Sequence, residues 1–362
     1  MVNYFREHDW LGSRSRPKDK APSAKQAAAA ARDRSVTKAG GKCTASLRCP
    51  RPGHVYVDCD LSQLETRVLA WVAREEPLLQ AFADNRDVYS EFATDVFKRD
   101  VHDPTEGDTP DVAKELKALR QVGMKAMRLL GFSMEGPKFM LKLKEDPSTS
   151  PLFERGDLGP IQCDKIVELY RKRHPAIVNL WSVLDDSARR LTVGNRRLDW
   201  GELILSAEAG EMQIQLPSDG RLYYPHIRLV YHGEVIKRRD TISRYMPGVQ
   251  IVYGPDLGLD GGKLTKDIVQ EEANDILVKA IKSLEAQGYP VVQHTRDEVV
   301  LEIPEADADR AAKALTEVFS VKCELRLPLS RKVQVRRGSY AEGGPQQTTV
   351  AAAAAELGRP VL

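Results

Sequence analysis

Two acidic positions stand where an ordinary core segment has none. Asp60 closes the apolar run that begins at Val55, and the pair Asp297 and Glu298 lies between Val291-Val292 and Val299-Val300. Carboxylates carried in from two strand ends are what Mg²⁺ needs, because a hard cation takes oxygen ligands and keeps several waters and substrate phosphates. Two such ions, about 3.5 to 4 Å apart, can activate a hydroxyl and stabilise the leaving oxygen in an in-line displacement at phosphorus. The same residue types also occur simply as exposed acids at strand ends, and sequence spacing by itself does not bring residues 60 and 297 together. The five cysteines (Cys43, Cys49, Cys59, Cys163, Cys323) offer no rival chemistry: they are scattered, odd in number and without a C-x-x-C pair, which favours neither a disulfide framework nor a zinc cluster.

The elements that must position these acids mix helix and strand, an α+β pattern. His54 to Asp60 reads as a strand, followed by a helix with Leu64, Val68, Leu69 and Val72 at helical spacing. Ser62 and Glu65 have the spacing of a capping box at its start. Further helices are expected from Val112 to Leu130, from Cys163 to Leu191, from Leu264 to a stop at Gly288, and from Ala306 to Phe319. Met212 to Leu216, the turn Pro217-Ser218-Asp219-Gly220 and Arg221 to Tyr224 read as a hairpin. Val291 to Pro304 reads as two short strands around a polar tip.

Around this body the composition changes. The 362 residues are 42% apolar and 29% charged, enough for one large domain or two. The net charge of +2 hides an asymmetry: residues 1–51 carry 12 Lys/Arg against 4 Asp/Glu, and the rest is mildly acidic. A basic arm before an acidic body suits a chain that touches a polyanion, and equally a solvated leader. The expected division is a basic, largely disordered segment over 1–47, a folded body over 48–340 and a flexible tail over 341–362. No run approaches the roughly 18 to 20 apolar residues of a membrane span, and Arg6, Glu7 and Asp9 are unlike a signal peptide. A cytoplasmic location and no membrane partner are therefore expected.

The strings around the acids narrow the reading. Asp60-Leu61-Ser62-Gln63-Leu64-Glu65-Thr66-Arg67-Val68-Leu69-Ala70 resembles motif A of the family A (DNA polymerase I-like) DNA polymerases, D-Y-S-Q-I-E-x-R-V-L-A, and Arg296-Asp297-Glu298-Val299-Val300 resembles motif C, H-D-E-x-V. Asp87-Val88-Tyr89, Leu216 to Tyr224, and Gly261-Gly262-Lys263-Leu264 followed by Val269-Gln270 resemble the bacteriophage branch. The resemblance covers about residues 48 to 325, in the family's order. It implies a polymerase palm, an antiparallel sheet with helices, with helical fingers inserted over about 78–200. It implies addition of dNTPs to a primer 3′ end by two Mg²⁺ ions held on Asp60 and Asp297, with Glu298 auxiliary, in DNA replication or repair. Glu65 is implied as the gate against a ribose 2′-hydroxyl, Gln63 as a nucleotide contact, and Arg67, Lys266, Gln270 and Arg296 as contacts to the primer-template DNA. If the chain is phage-encoded, its compartment is the host cytoplasm.

The family's fingers helix has the form R-x-x-x-K-x-x-x-(F/Y/L)-x-x-x-Y-G, in which basic residues hold the triphosphate. Arg120 and Phe132 match its ends, which puts Met124 at the lysine position, Arg128 at the first stacking position and Ser133 at the glycine. A one-residue slip makes Lys125 the lysine instead, about 140° around the helix from Arg120. Arg296 replaces the motif C histidine. Only 59 residues precede Asp60, so neither an exonuclease domain nor a full thumb is expected in this chain, and a separate thumb, exonuclease or processivity subunit is an expected partner. The alternative is a non-catalytic palm-like DNA-binding or replication accessory subunit.

Overall fold

The computed structural model describes residues 50–231, 234–235, 248–320, 329–337 and 347–349. The basic segment 1–47, most of the tail, and Cys43, Cys49 and Cys323 lie outside the described residues. The chain divides into two compact units, one made of its two ends (through Ser62, and from Asn274 onward) and one of Gln63–Ala273.

The first unit is built on a five-stranded antiparallel sheet. Its strands are β1 (His54–Ser62), β10 (Val291–His294), β11 (Glu298–Pro304), β12 (Ser330–Arg336) and β13 (Gln347–Thr349), in the order β10-β11-β1-β12-β13. β13 falls inside the segment read from composition as tail. β1 is central, and five successive residues, Val55 to Cys59, are buried. That is the pattern of a strand covered on both faces, not of a half-exposed one. The helix α10 (Ala308–Ser320) packs on β1, β11 and β12. Its stripe of Ala308, Ala311, Ala312, Leu315 and Phe319, spaced three and four apart, is buried.

In the second unit the helices are α1 (Leu64–Ala73), α2 (Glu76–Ala83), α3 (Val88–Phe97), α4 (Pro110–Leu129), α5 (Gly136–Lys144), α6 (Ser150–Glu154), α7 (Pro160–Arg173) and α8 (Pro175–Thr192). Two four-stranded antiparallel sheets follow. One is β2 (Arg197–Trp200), β3 (Leu203–Glu208), β4 (Glu211–Gln215) and β5 (Arg221–Tyr224), paired in sequence. The other, ordered β7-β6-β8-β9, uses β6 (Arg228–Tyr231), β7 (Glu234–Val235), β8 (Val249–Tyr253) and β9 (Leu257–Leu259). The division between the units falls inside the helix α9 (Gly261–Ala286).

Two expectations are corrected. The helix expected over Cys163 to Leu191 is two helices, broken at His174 (φ −123°, ψ 65°), because a residue before proline is pushed out of the helical region and Pro175 lacks the donor to continue the ladder. The capping box at Ser62 is also absent. Ser62 is still in β1, held opposite Ser330, and its hydroxyl is turned to Asp60 Oδ1 at 3.4 Å, so Gln63 takes the cap position in a left-handed conformation with no side-chain cap bond.

Candidate active site

β1 delivers the acids. In the antiparallel ladder Asp60 is directly opposite Glu298 on one side and Lys332 on the other, and directly opposed residues point to the same face. Just past the Asp60–Glu298 pair, the Leu61 N–H donates to the Asp297 carbonyl at 2.7 Å, which ties the polar tip of the β10–β11 hairpin to the end of β1. Thr295 braces that tip: its N–H donates to the Glu298 carbonyl at 2.8 Å and its hydroxyl to Asp297 Oδ1 at 3.1 Å. Residues 60 and 297, far apart in sequence, thus sit side by side in one unit. Burial, and then the negative charge of Asp297, push the Asp60 carboxyl above its ordinary range.

Asp58 shares the face of Asp60 and is handled differently. It is 1% exposed and takes two bonds from Arg336, at 2.7 and 3.2 Å. A bidentate guanidinium satisfies a buried carboxylate, which makes Asp58 part of the framework. Asp60, Asp297 and Glu298 are half-buried instead. The donors here are oxygens without thiol or imidazole, a set that suits a hard divalent ion. Among the described residues no cluster of three or more His, Cys, Asp or Glu side chains forms a ready-made cage.

The second unit holds the nucleotide candidates. α4 starts with Pro at its first turn and runs 20 residues, so Arg120, Met124 and Arg128 lie four apart on one face. Arg120 bonds Asp87 Oδ2 at 2.8 Å, and its guanidinium lies 5.7 Å from the Tyr89 ring centre. Asp87 is at the same time the cap of α3, accepting from the Tyr89 and Ser90 N–H groups. Burial alone would raise the Asp87 carboxyl, but Arg120 and Ser90 outweigh it and hold it below the usual range. Lys125 faces another way. Its ammonium pairs with Asp146 at 3.0 Å and donates to the Lys142 carbonyl at 3.1 Å, beside Gln121, which also binds Asp146. Despite partial desolvation, the Ser148 N–H, Gln121 and Lys125 hold the Asp146 carboxyl down at about 2. Arg128 is exposed, and Phe132 ends a 3₁₀ turn, Leu130–Phe132. Ser133 then takes φ 60°, the left-handed conformation for which glycine is the natural choice. Ser133 thus takes the conformation open to the glycine of the family's Y-G, while Lys125, the lysine of the slipped register, is paired with Asp146.

α9 is seated by backbone contact that only glycine permits. A Cβ on Gly261 would stand 1.9 Å from the Trp181 carbonyl oxygen, and one on Gly262 2.6 Å from that of Phe132. The β4–β5 hairpin secures the helix further: Ser218 donates to Glu272 at 3.0 Å, and Tyr224 to Asp267 at 3.2 Å. Gln270 then meets Glu65, its amide nitrogen 3.5 Å from Oε1. Lys266 and Arg296 are exposed, and Gln63 is half-buried at the cap of α1. Arg67 departs from the expected DNA contact. It is 4% exposed and stacked 4.4 Å from the Phe82 ring centre, and burial lowers its guanidinium to about 10.

Three participants were missed in the sequence. Asp87 was noted as part of a motif but not as the partner of Arg120; its spacing of two and three residues before the α3 donors was the available signal. Arg336 and Lys332 lie on β12, in a short Ser-Arg-Lys-Val-Gln-Val-Arg alternation that β-pattern reading could have found.

Comparison with known proteins bears on the family and the fold. Residues 35–129 match DNA polymerase family A. The DNA polymerase of Bacillus phage SP02 is 30% identical over 257 residues, 70% of this chain and 36% of that protein. DNA polymerase I of Caldicellulosiruptor bescii is 38% identical over 79 residues, 22% of this chain and 9% of that protein. Among solved structures, the POL domain of Pol1 from M. smegmatis, in complex with DNA primer-template and dNTP, superposes with a TM-score of 0.52 at 17% identity, over 81% of this chain and 41% of that one. The chain therefore spans less than half the length of these relatives. No helix among the described residues is long and apolar enough to cross a membrane. With motif A on β1 and α1, motif C on the β10–β11 hairpin and these matches, the chain is similar to the DNA polymerases of family A.

Proposed function

We propose that this chain is a template-directed DNA polymerase module that extends a primer 3′ end with dNTPs. The observation that carries it is the hydrogen bond from Leu61 to Asp297 beside the Asp60–Glu298 pair, which sets two strand-end aspartates together. Asp60 and Asp297 would hold Mg²⁺, which supplies charge stabilisation at phosphorus and a more acidic primer hydroxyl. In the reaction the 3′ oxygen bonds the α-phosphorus, the bond to the β-phosphate oxygen breaks, pyrophosphate leaves and the hydroxyl proton goes to solvent. Arg120 and Arg128 bind the triphosphate oxygens, Phe132 stacks near the base, and Glu65, steadied by Gln270, crowds the 2′ position. Gln63 supports the nucleotide at the start of α1. Lys266, Gln270 and Arg296 contact the primer-template, and Glu298 is the auxiliary carboxylate. A separate thumb, exonuclease or processivity subunit is a proposed partner, and the cytoplasm the proposed compartment.

The second reading, a non-catalytic primer-template binder, is favoured by the altered fingers helix, with Met124 at the lysine position and Arg128 at the first stacking position. Primer extension with the purified chain, dNTPs and Mg²⁺, beside Asp297→Asn, separates the two. Extension lost in the variant selects the enzyme; DNA binding without extension by the parent chain selects the binder.

A further inference from the structure

The row Glu298–Asp60–Lys332 crosses three neighbouring strands on one face of the sheet. Directly opposed side chains in such a ladder begin about 5 Å apart, close enough for a lysine and an aspartate to close a cross-strand ion pair. Two residues earlier on β1, the same face does that: Asp58 is locked by Arg336, also from β12, and Arg336 is fixed further by a 2.9 Å bond to Gln334. Lys332 behaves otherwise. It is exposed, and among the described residues it forms no ion pair, although its charge reaches both Asp60 and Asp58. β12 thus sends one cation to neutralise a buried acid and leaves the next free beside two acids that remain half-buried.

An ammonium that is unpaired among the described residues and set beside two carboxylates is placed to serve another anion. We propose that Lys332 is a phosphate-binding residue of the polymerase site, placed by β12 to hold a phosphate group beside Asp60 and Glu298. The assignment rests on the polymerase reading above. Carboxylates repel the phosphates they must work on, and a lysine one strand away offsets that repulsion without entering the metal donor set. Lysine suits the task better than arginine here, since an arginine would close a bidentate pair with Asp60 as Arg336 does with Asp58. The phosphate comes from the primer-template backbone or from the incoming triphosphate, and the two sources are separable.

The test uses the full chain and the variants Lys332→Ala and Lys332→Arg, with melting temperature as the folding control. Binding of a labelled primer-template is titrated against salt in EDTA, and the KM for dNTP is measured with Mg²⁺ at saturating DNA. If the phosphate belongs to DNA, Lys332→Ala weakens binding and lowers the slope of log affinity against log salt by about 0.9. If it belongs to the nucleotide, the slope holds and the KM for dNTP rises several-fold. Lys332→Arg, whose guanidinium would pair with Asp60, restores neither signal. Parent-like slope and KM in Lys332→Ala overturn the assignment while the polymerase reading stands, provided the parent chain extends primers and Asp297→Asn does not. A parent chain that neither binds nor extends primer-template overturns both.

Discussion

The acid row on β1 and the basic face of α4 are charged regions of opposite design. Where the end of β1 meets the β10–β11 hairpin the acids stand next to one another, and the carboxyl of Asp60 is pushed up by its burial and by Asp297. On α4 the cations have acids brought to them: Arg120 is held by Asp87, and Lys125 by Asp146. A fold keeps like charges together at a cost, so their persistence marks a place where something else supplies the opposite charge. Matched pairs need nothing further. The difference within α4 is finer. The Arg120–Asp87 pair keeps one face of the helix charged and half-open, with Arg128 exposed two turns on, whereas Lys125 is consumed in bracing the Asp146 turn.

The largest effect is expected on the acid row. Asp297→Asn lowers primer extension by roughly a thousandfold or more, measured as initial rate with saturating DNA, because it removes one of two proposed metal ligands. The contrast within α4 comes next. Arg120→Ala raises the KM for dNTP by about tenfold or more, in keeping with loss of a charge-assisted phosphate contact. Lys125→Met leaves the KM unchanged and costs about 1 kcal/mol in chemical denaturation. Equal kinetic damage from both would mean that the matched pair on Asp146 opens in use. Glu65→Ala raises the ratio of ribonucleotide to deoxyribonucleotide incorporation several-fold, read on competing substrates; an unchanged ratio removes the gate role.

Stability tests sharpen the same contrast at smaller scale. Asp60 has its folded carboxyl raised above the unfolded value, so its charged form costs stability at neutral pH, and that cost falls away as pH drops through the folded value. Asp60→Asn is therefore expected to raise the melting temperature at pH 7 while abolishing extension, whereas Asp58→Asn, although burial raises that carboxyl as well, strands the Arg336 guanidinium and lowers it. His174 adds a group with its charge withheld. Its two ring nitrogens have no partner among the described residues, and burial, then Arg173, lower it to about 3. With an unfolded value near 6.5, the fold keeps its full stability above pH 6.5. It loses up to about 1.4 kcal/mol per pH unit as acid is added below that. His174→Leu flattens this slope in denaturation series between pH 4 and 7.

Motif chemistry made the site legible in the sequence before any packing did. Asp60, Asp297 and Glu298 stood out because acids interrupt apolar strands, and the structure brings them together. The strand and helix around Asp60 and the β4–β5 hairpin were equally readable from period and turn residues. The partners were not. Nothing local in Asp87 announces Arg120, and nothing in Arg67 says that Phe82 will cover it, since both depend on how helices pack. The break at Pro175 was written in the sequence, yet the apolar period runs through it: Ile166, Tyr170, Ile177, Leu180 and Leu184 are all buried. The β6–β9 sheet escaped because its strands are short and carry no paired turn signature.

The middle position of β1 has a consequence for synthesis. The partners of β1 come from the other end of the chain: Arg51 binds Glu302, 251 residues on, and Asp60 waits for Glu298 and Lys332. Gln63–Ala273 is continuous, so a growing chain can finish that unit while β1, already made, has no sheet to join. Closing so long a loop makes the acid row a late event in folding. A ribosome that stalls before residue 298 leaves α4 complete and the carboxylates apart, so an unfinished chain has no assembled acid row.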